Sequence, residues 1–164
     1  MHYEMTPRMT FIQLLTYERP AATAWVTGNK EYPKISGLVK FYQTPYEGVL
    51  IESELFGLPN INQPNSSEFY AIHIHEFGNC RGNFDSAGSH YNPDNVSHPE
   101  HAGDMPPLLS NQGYAWMAFY DKRFTIEEII GKSVIIHSSP DDFHTQPAGN
   151  SGIRIACGEI IATM

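Results

Sequence analysis

The chain carries little charge of either sign and no basic block that could organise a binding face. Charged residues make up 17% of its 164 positions, and the 10 Lys and Arg are scattered against 18 Asp and Glu. A protein that neutralises nucleic-acid phosphates, or adheres to an anionic bilayer, needs a concentrated basic face. The sequence therefore argues against nucleic acid and membrane as partners. Long apolar runs are missing as well: nothing approaches the roughly 20 residues of a membrane span. Phe11–Leu15 is too short for a secretory core segment. That lack of a signal peptide predicts a cytoplasmic location, or an extracytoplasmic one if a leader preceded Met1. Cysteine is scarce, with Cys80 and Cys157 alone and no CxxC spacing, so a cysteine-based structural zinc site is excluded. The count by itself leaves two buried thiols or a bridge equally open. The net charge of −8 would repel an anionic substrate at long range unless a local positive centre reversed the field.

A long helical period is also lacking, as are internal repeats and low-complexity tracts. What the chain has is turn chemistry, with 13 Gly and 12 Pro, between short β-like segments. Thr23–Val26, Leu38–Tyr42, Val49–Leu55, Phe69–His75, Tyr114–Phe119, Ser133–His137 and Ile153–Ile161 are rich in β-branched and aromatic residues or alternate apolar with polar. Strands of this kind predict an all-β antiparallel sandwich or barrel. The length suits one domain, spanning 21–164, preceded by an extension over residues 1–20 that has no clear period. Two stretches break the strand pattern, Asn79–Leu109 and Ser138–Gly152. Loops this long in a compact domain are usually functional or disordered, and both carry histidine and acidic residues.

Histidine is where the chemistry concentrates. Six of the eight histidines fall at His73, His75, His90, His98, His101 and His137, with Asp104 three residues behind His101. Neutral imidazole nitrogen suits zinc and copper, and one ion takes three or four such groups, so this set exceeds one site. His73 and His75 lie on a predicted strand, where side chains at i and i+2 share a face about 6.5–7 Å apart and can converge on one ion. His98, His101 and Asp104 recur every three residues, yet Pro99, Gly103, Pro106 and Pro107 oppose a helix. A loop wrapped round an ion gathers them instead. With His90 they form a closed tetrahedral set of the kind a buried zinc takes. Glu76 and Glu100 lack the HExxH spacing of a zinc protease.

Five blocks, in order and with their internal spacing, resemble copper/zinc superoxide dismutase of bacterial type. They are His73-Ile-His75-Glu-Phe-Gly, Ser86-Ala-Gly-Ser-His90-Tyr-Asn-Pro93, His98-Pro-Glu-His101-Ala-Gly-Asp104, Ile130-Gly-Lys-Ser-Val-Ile-Ile-His137 and Gly152-Ile-Arg154-Ile-Ala-Cys157-Gly158. The likeness extends weakly from Ala24 to Ile161. It implies a Greek-key β-sandwich or flattened barrel, immunoglobulin-like, with two long functional loops. It implies copper on His73, His75, His90 and His137, and zinc on His90, His98, His101 and Asp104, with His90 shared as an imidazolate. Catalysis would rest on His90 and on Arg154, the local positive centre that an acidic protein needs for superoxide. Asp141, or Asp142 as the neighbouring alternative, would accept hydrogen bonds from the outer nitrogens of His73 and His98. Cys80 and Cys157 would form a disulfide worth about 4 kcal/mol in the chain-entropy model. The resemblance implies dismutation of superoxide, allows a homodimer, and carries as its alternative a metal carrier or buffer of the same fold without turnover. Ser138–Gly152 holds His144 but no Lys or Arg, which predicts weak electrostatic steering. The insertion 59–67 and the sequons at Asn65 and Asn95 have no assigned role.

Overall fold

The structure is a computed structural model that describes residues 6–60 and 67–164. Residues 1–5 of the extension lie outside the described residues, as do 61–66, which hold most of the insertion 59–67 and Asn65 of the first sequon. After a helix α1 (Pro7–Tyr17), the strands are β1 (Ala22–Gly28), β2 (Ser36–Gln43), β3 (Val49–Phe56), β4 (Phe69–Tyr70), β5 (Ile72–His75), β6 (Leu108–Leu109), β7 (Ala115–Asp121), β8 (Ser133–His137) and β9 (Arg154–Ala162). A one-turn helix α2 (Ile126–Ile129) precedes β8. All strand pairs are antiparallel, and a seven-stranded sheet runs β5-β8-β9-β1-β2-β3-β7.

The sheet curls because its inward side chains all seek one core. In β1, Ala22, Ala24 and Val26 are buried while Trp25 points out, the period-2 alternation of a half-buried strand. Phe41, Ile51 and Leu55 from one end of the sheet share a cluster with Ile72, Ile74 and Ile136 from the other end. The chain passes from β3 at one end to β5 at the other, and returns to β7, over long connections of Greek-key character. The all-β antiparallel architecture read from the sequence is the one found.

Local features differ from the sequence reading, among them strand β6, which lies inside the stretch Asn79–Leu109 read as breaking the strand pattern. Phe69–His75 is divided at Ala71, so that β4 pairs with β6 in a separate two-stranded sheet while β5 joins the main one. Residues 7–17 are helical although no period marks them. The reason is that α1 buries no residue, so nothing demands an apolar stripe; Phe11 merely rests on the rings of Tyr46 and Tyr120. Among the described residues, no helix is long and apolar enough to cross a membrane.

Candidate metal centre

Strands β5 and β8 are buried on both faces. Ile72, Ile74, Val134 and Ile136 fill the core, which leaves His73, His75 and His137 on the opposite face of the same two strands. Arg154 reaches that face through an irregularity. β8 and β9 pair Ile136 with Ala156 but His137 with Arg154, so Ile155 is the extra residue of a β-bulge. Ile155 and Ala156 both enter the core, and the shifted parity turns Arg154 toward the histidines. Simple alternation from Cys157 would have aimed Arg154 inward. The sequence hint is the unbroken apolar run Ile155-Ala156-Cys157.

The long segment after β5 folds over this face and delivers His90, His98, His101 and Asp104. All six histidines and Asp104 are buried. They form two groups, His73–His75–His90–His137 and His90–His98–His101–Asp104, in each of which one ligating atom per residue lies within 4.8 Å of the others. His90 belongs to both. Its Nδ1 meets Asp104 Oδ1 at 2.7 Å, and its Nε2 faces the other group without a hydrogen-bond partner.

The donor atoms fit metal ions. His73 Nδ1, His90 Nε2, His98 Nδ1 and His101 Nδ1 are buried and lack hydrogen-bond partners, a state that costs free energy unless something else satisfies them. His98 Nδ1 and His101 Nδ1 stand 3.0 and 3.2 Å from Asp104 Oδ2. Ligands at 2.0–2.1 Å on a tetrahedral ion are about 3.3 Å apart, so these spacings are close to those of a filled site. Burial lowers the His73 pKa to about 4 and pushes His75 and His137 well below the ordinary value, which keeps the rings neutral and able to ligate.

Other groups hold the rings in place. Asp141 Oδ2 accepts from His73 Nε2 at 2.7 Å and Asp141 Oδ1 from His98 Nε2 at 2.8 Å, so one carboxylate spans both groups from behind. Burial pushes the Asp141 pKa up, but the hydrogen bonds from His73, from the Phe143 N–H at 2.7 Å and from His98 outweigh it and hold the carboxyl below its usual range. Asp142 is not brought to the site: it caps the turn at His144 and Thr145, and His144 is exposed. Sequence reasoning missed Gly88 and Gln146. The Gly88 carbonyl accepts from His75 Nδ1 at 3.0 Å and from Arg154 Nη2 at 2.6 Å, tying the arginine to a histidine ring. Gly88 adopts φ +78°, and a Cβ there would press on Glu76 and Phe77. Gln146 grips the His98 backbone on both sides, accepting from its N–H at 3.0 Å and donating to its carbonyl at 2.6 Å. Backbone acceptors leave no signature in a sequence.

His75, His90, His101 and His137 line an open pit of ≈ 700 Å³ together with Arg154, Gln146 and Asn150. Among the described residues that line it, Arg154 is the permanent cation and Glu76 the carboxylate. A second guanidinium nitrogen of Arg154, Nη1, donates to the Phe84 carbonyl at 2.6 Å. Cys80 and Cys157 are joined in a disulfide, which fastens the loop holding Phe84 to β9.

The family model for copper/zinc superoxide dismutase (SODC) matches residues 35–160. Superoxide dismutase [Cu-Zn] 2 of Aquifex aeolicus is 39% identical over 130 residues, covering 69% of this chain and 72% of that protein. The copper chaperone for superoxide dismutase of Homo sapiens is 32% identical over 139 residues, covering 77% of this chain and 48% of that protein. The chain spans about half the length of that chaperone and of the Rattus norvegicus extracellular superoxide dismutase it also matches, at 48% and 55%. A crystal structure of a double mutant of a superoxide-dismutase-like protein from Bacillus subtilis superposes with TM-score 0.72 at 30% identity, covering 85% of this chain and 97% of that one.

Proposed function

Because this chain belongs to the copper/zinc superoxide dismutase family, we propose that it dismutates superoxide at a copper site joined to a zinc site through His90. The observation that carries the reading is the pair of buried ligand groups sharing His90, set in the wall of a pit with Arg154. The all-imidazole group (His73, His75, His90, His137) opens on the pit and suits copper. The group closed by Asp104 (His90, His98, His101, Asp104) suits tetrahedral zinc. When bound, copper supplies the one-electron exchange with superoxide, and zinc supplies fixed charge without redox chemistry.

Two superoxide anions and two protons give one oxygen and one hydrogen peroxide. Arg154 draws the anion into the pit and orients it, since its guanidinium is charged at every relevant pH. The carbonyls of Phe84 and Gly88 hold that guanidinium in position. His90 Nε2, free of protein partners while Nδ1 faces Asp104, can hold a proton beside the pit and give it to the reduced anion. The second proton comes from water in the open pit. Asp141 fixes the tautomers and orientations of His73 and His98.

The experiment is superoxide decay measured with zinc-loaded protein before and after copper addition. Decay that appears with copper and rises to one equivalent per chain supports the reading. Full uptake of both metals without decay would move the protein to the carrier reading, for which the human chaperone relative is the precedent.

A further inference from the structure

The zinc-side turn, His101–Asp104, is held from two directions. On the inner side, Ile74 N–H donates to the Gly103 carbonyl and Gly103 N–H to the Tyr91 carbonyl, each at 2.8 Å. A Cβ at Gly103 would overlap the Ile74 carbonyl, so the turn lies flush against β5. On the outer side stands a residue from a different part of the chain. Arg123, two residues beyond β7, donates from Nη1 to the His101 carbonyl at 3.0 Å and from Nη2 to the Asp104 carbonyl. Asp121 steadies the guanidinium, accepting from Nε at 3.0 and 3.1 Å and from Nη2 at 2.6 Å.

We propose that Arg123 is a positioning residue for the zinc ligands, setting the spacing of His101 and Asp104 by clamping the carbonyls of both. The proposal rests on the two-metal reading above. The two acceptors are the carbonyls of the first and last ligands in the turn. Any change in their separation moves His101 Nδ1 relative to Asp104 Oδ2, now 3.2 Å apart. A rigid planar fork suits this task, because one guanidinium addresses two carbonyls at once, whereas an ammonium is a single point on a flexible stem. A clamp that sets the spacing before an ion arrives lowers the ordering cost of binding, and outer partners of ligands commonly govern metal affinity 10–100-fold.

The test is zinc affinity, measured by competition with a chelator of known strength on the full chain and on Arg123→Lys and Arg123→Gln. Thermal unfolding of each protein is followed with and without zinc. Arg123→Gln is expected to weaken zinc binding by about 10–100-fold, and Arg123→Lys by less. By linkage, zinc then protects the variants less than it protects the wild type. A purely structural arginine would lower the unfolding midpoint of zinc-free and zinc-loaded protein alike and leave affinity unchanged. Affinities within twofold of wild type in both variants would overturn the proposal. If Arg123→Gln does not fold, Arg123→Lys decides by the same criterion. A wild type that binds no zinc would overturn the two-metal reading itself, and this proposal with it.

Discussion

Asp141 shows how much one carboxylate can organise. Its two oxygens take one hydrogen bond each from His73 and His98, rings that belong to different ligand groups. An amide at this position can accept from one ring and would present N–H to the other. Asp141→Asn is therefore expected to weaken metal binding by about 10–100-fold, seen as faster metal loss to a chelator. Arg154 has a different task. Under the proposed function its guanidinium attracts and orients the anion, while the ligating atoms of the two groups come from other residues. Arg154→Gln should keep both metals bound while the rate of superoxide decay falls by about tenfold or more, checked by metal analysis beside the decay assay. A loss of metal in Arg154→Gln would show that its grip on the Gly88 carbonyl matters more than its charge.

Among the elements, the bulge at Ile155 decides whether β9 contributes to the site at all. The strands of the main sheet were legible, because β-branched and aromatic runs between Gly, Pro and Asn turns mark them, whereas the two-residue β6, inside the stretch Asn79–Leu109, was too short to show a period. His73 and His75 sharing a face was legible from the period of two. The bulge was not, since a single extra residue changes parity without changing composition. Helix α1 was hidden because it buries nothing, and the Gly88 and Gln146 contacts because they use backbone atoms. The outer face of β2, β3 and β7 carries its own testable network. Glu52 accepts from Lys40 at 3.0 Å, from Trp116 at 3.0 Å and from the Tyr42 hydroxyl at 3.3 Å. Burial, with the Glu52 charge adding to it, pushes the Tyr42 phenol up to about 12 from its ordinary 10. The folded chain then holds the phenolic proton where the unfolded chain has lost it. Stability from this group is present below pH 10 and is lost between about 10 and 12. Tyr42→Phe should flatten the alkaline limb of the stability curve, measured by denaturant unfolding across that range.

Across the whole molecule, two constraints act at long range. The Cys80–Cys157 disulfide closes 77 residues of sequence separation and ties the loop that carries the Phe84 carbonyl to the strand that carries Arg154. Reducing it should cost about 4 kcal/mol of stability, read as a lower denaturant midpoint, and should loosen the arginine. The net charge of −8, with no Lys or Arg in 138–152, sets a field that repels anions at long range, and Arg154 is the permanent cation among the described residues lining the pit. Raising ionic strength screens the repulsion and the attraction together, so the decay rate should change little with salt. The topology that joins the two ends of the sheet gathers residues separated by 64 positions, His73 to His137, around His90. The central claim is that His90 is one imidazole serving two ions, and it is tested most directly by electron paramagnetic resonance. With copper(II) in the first group and cobalt(II) replacing zinc in the second, an imidazolate bridge couples the two spins and suppresses the copper signal. A copper signal of full intensity, unchanged by cobalt, would contradict the shared histidine.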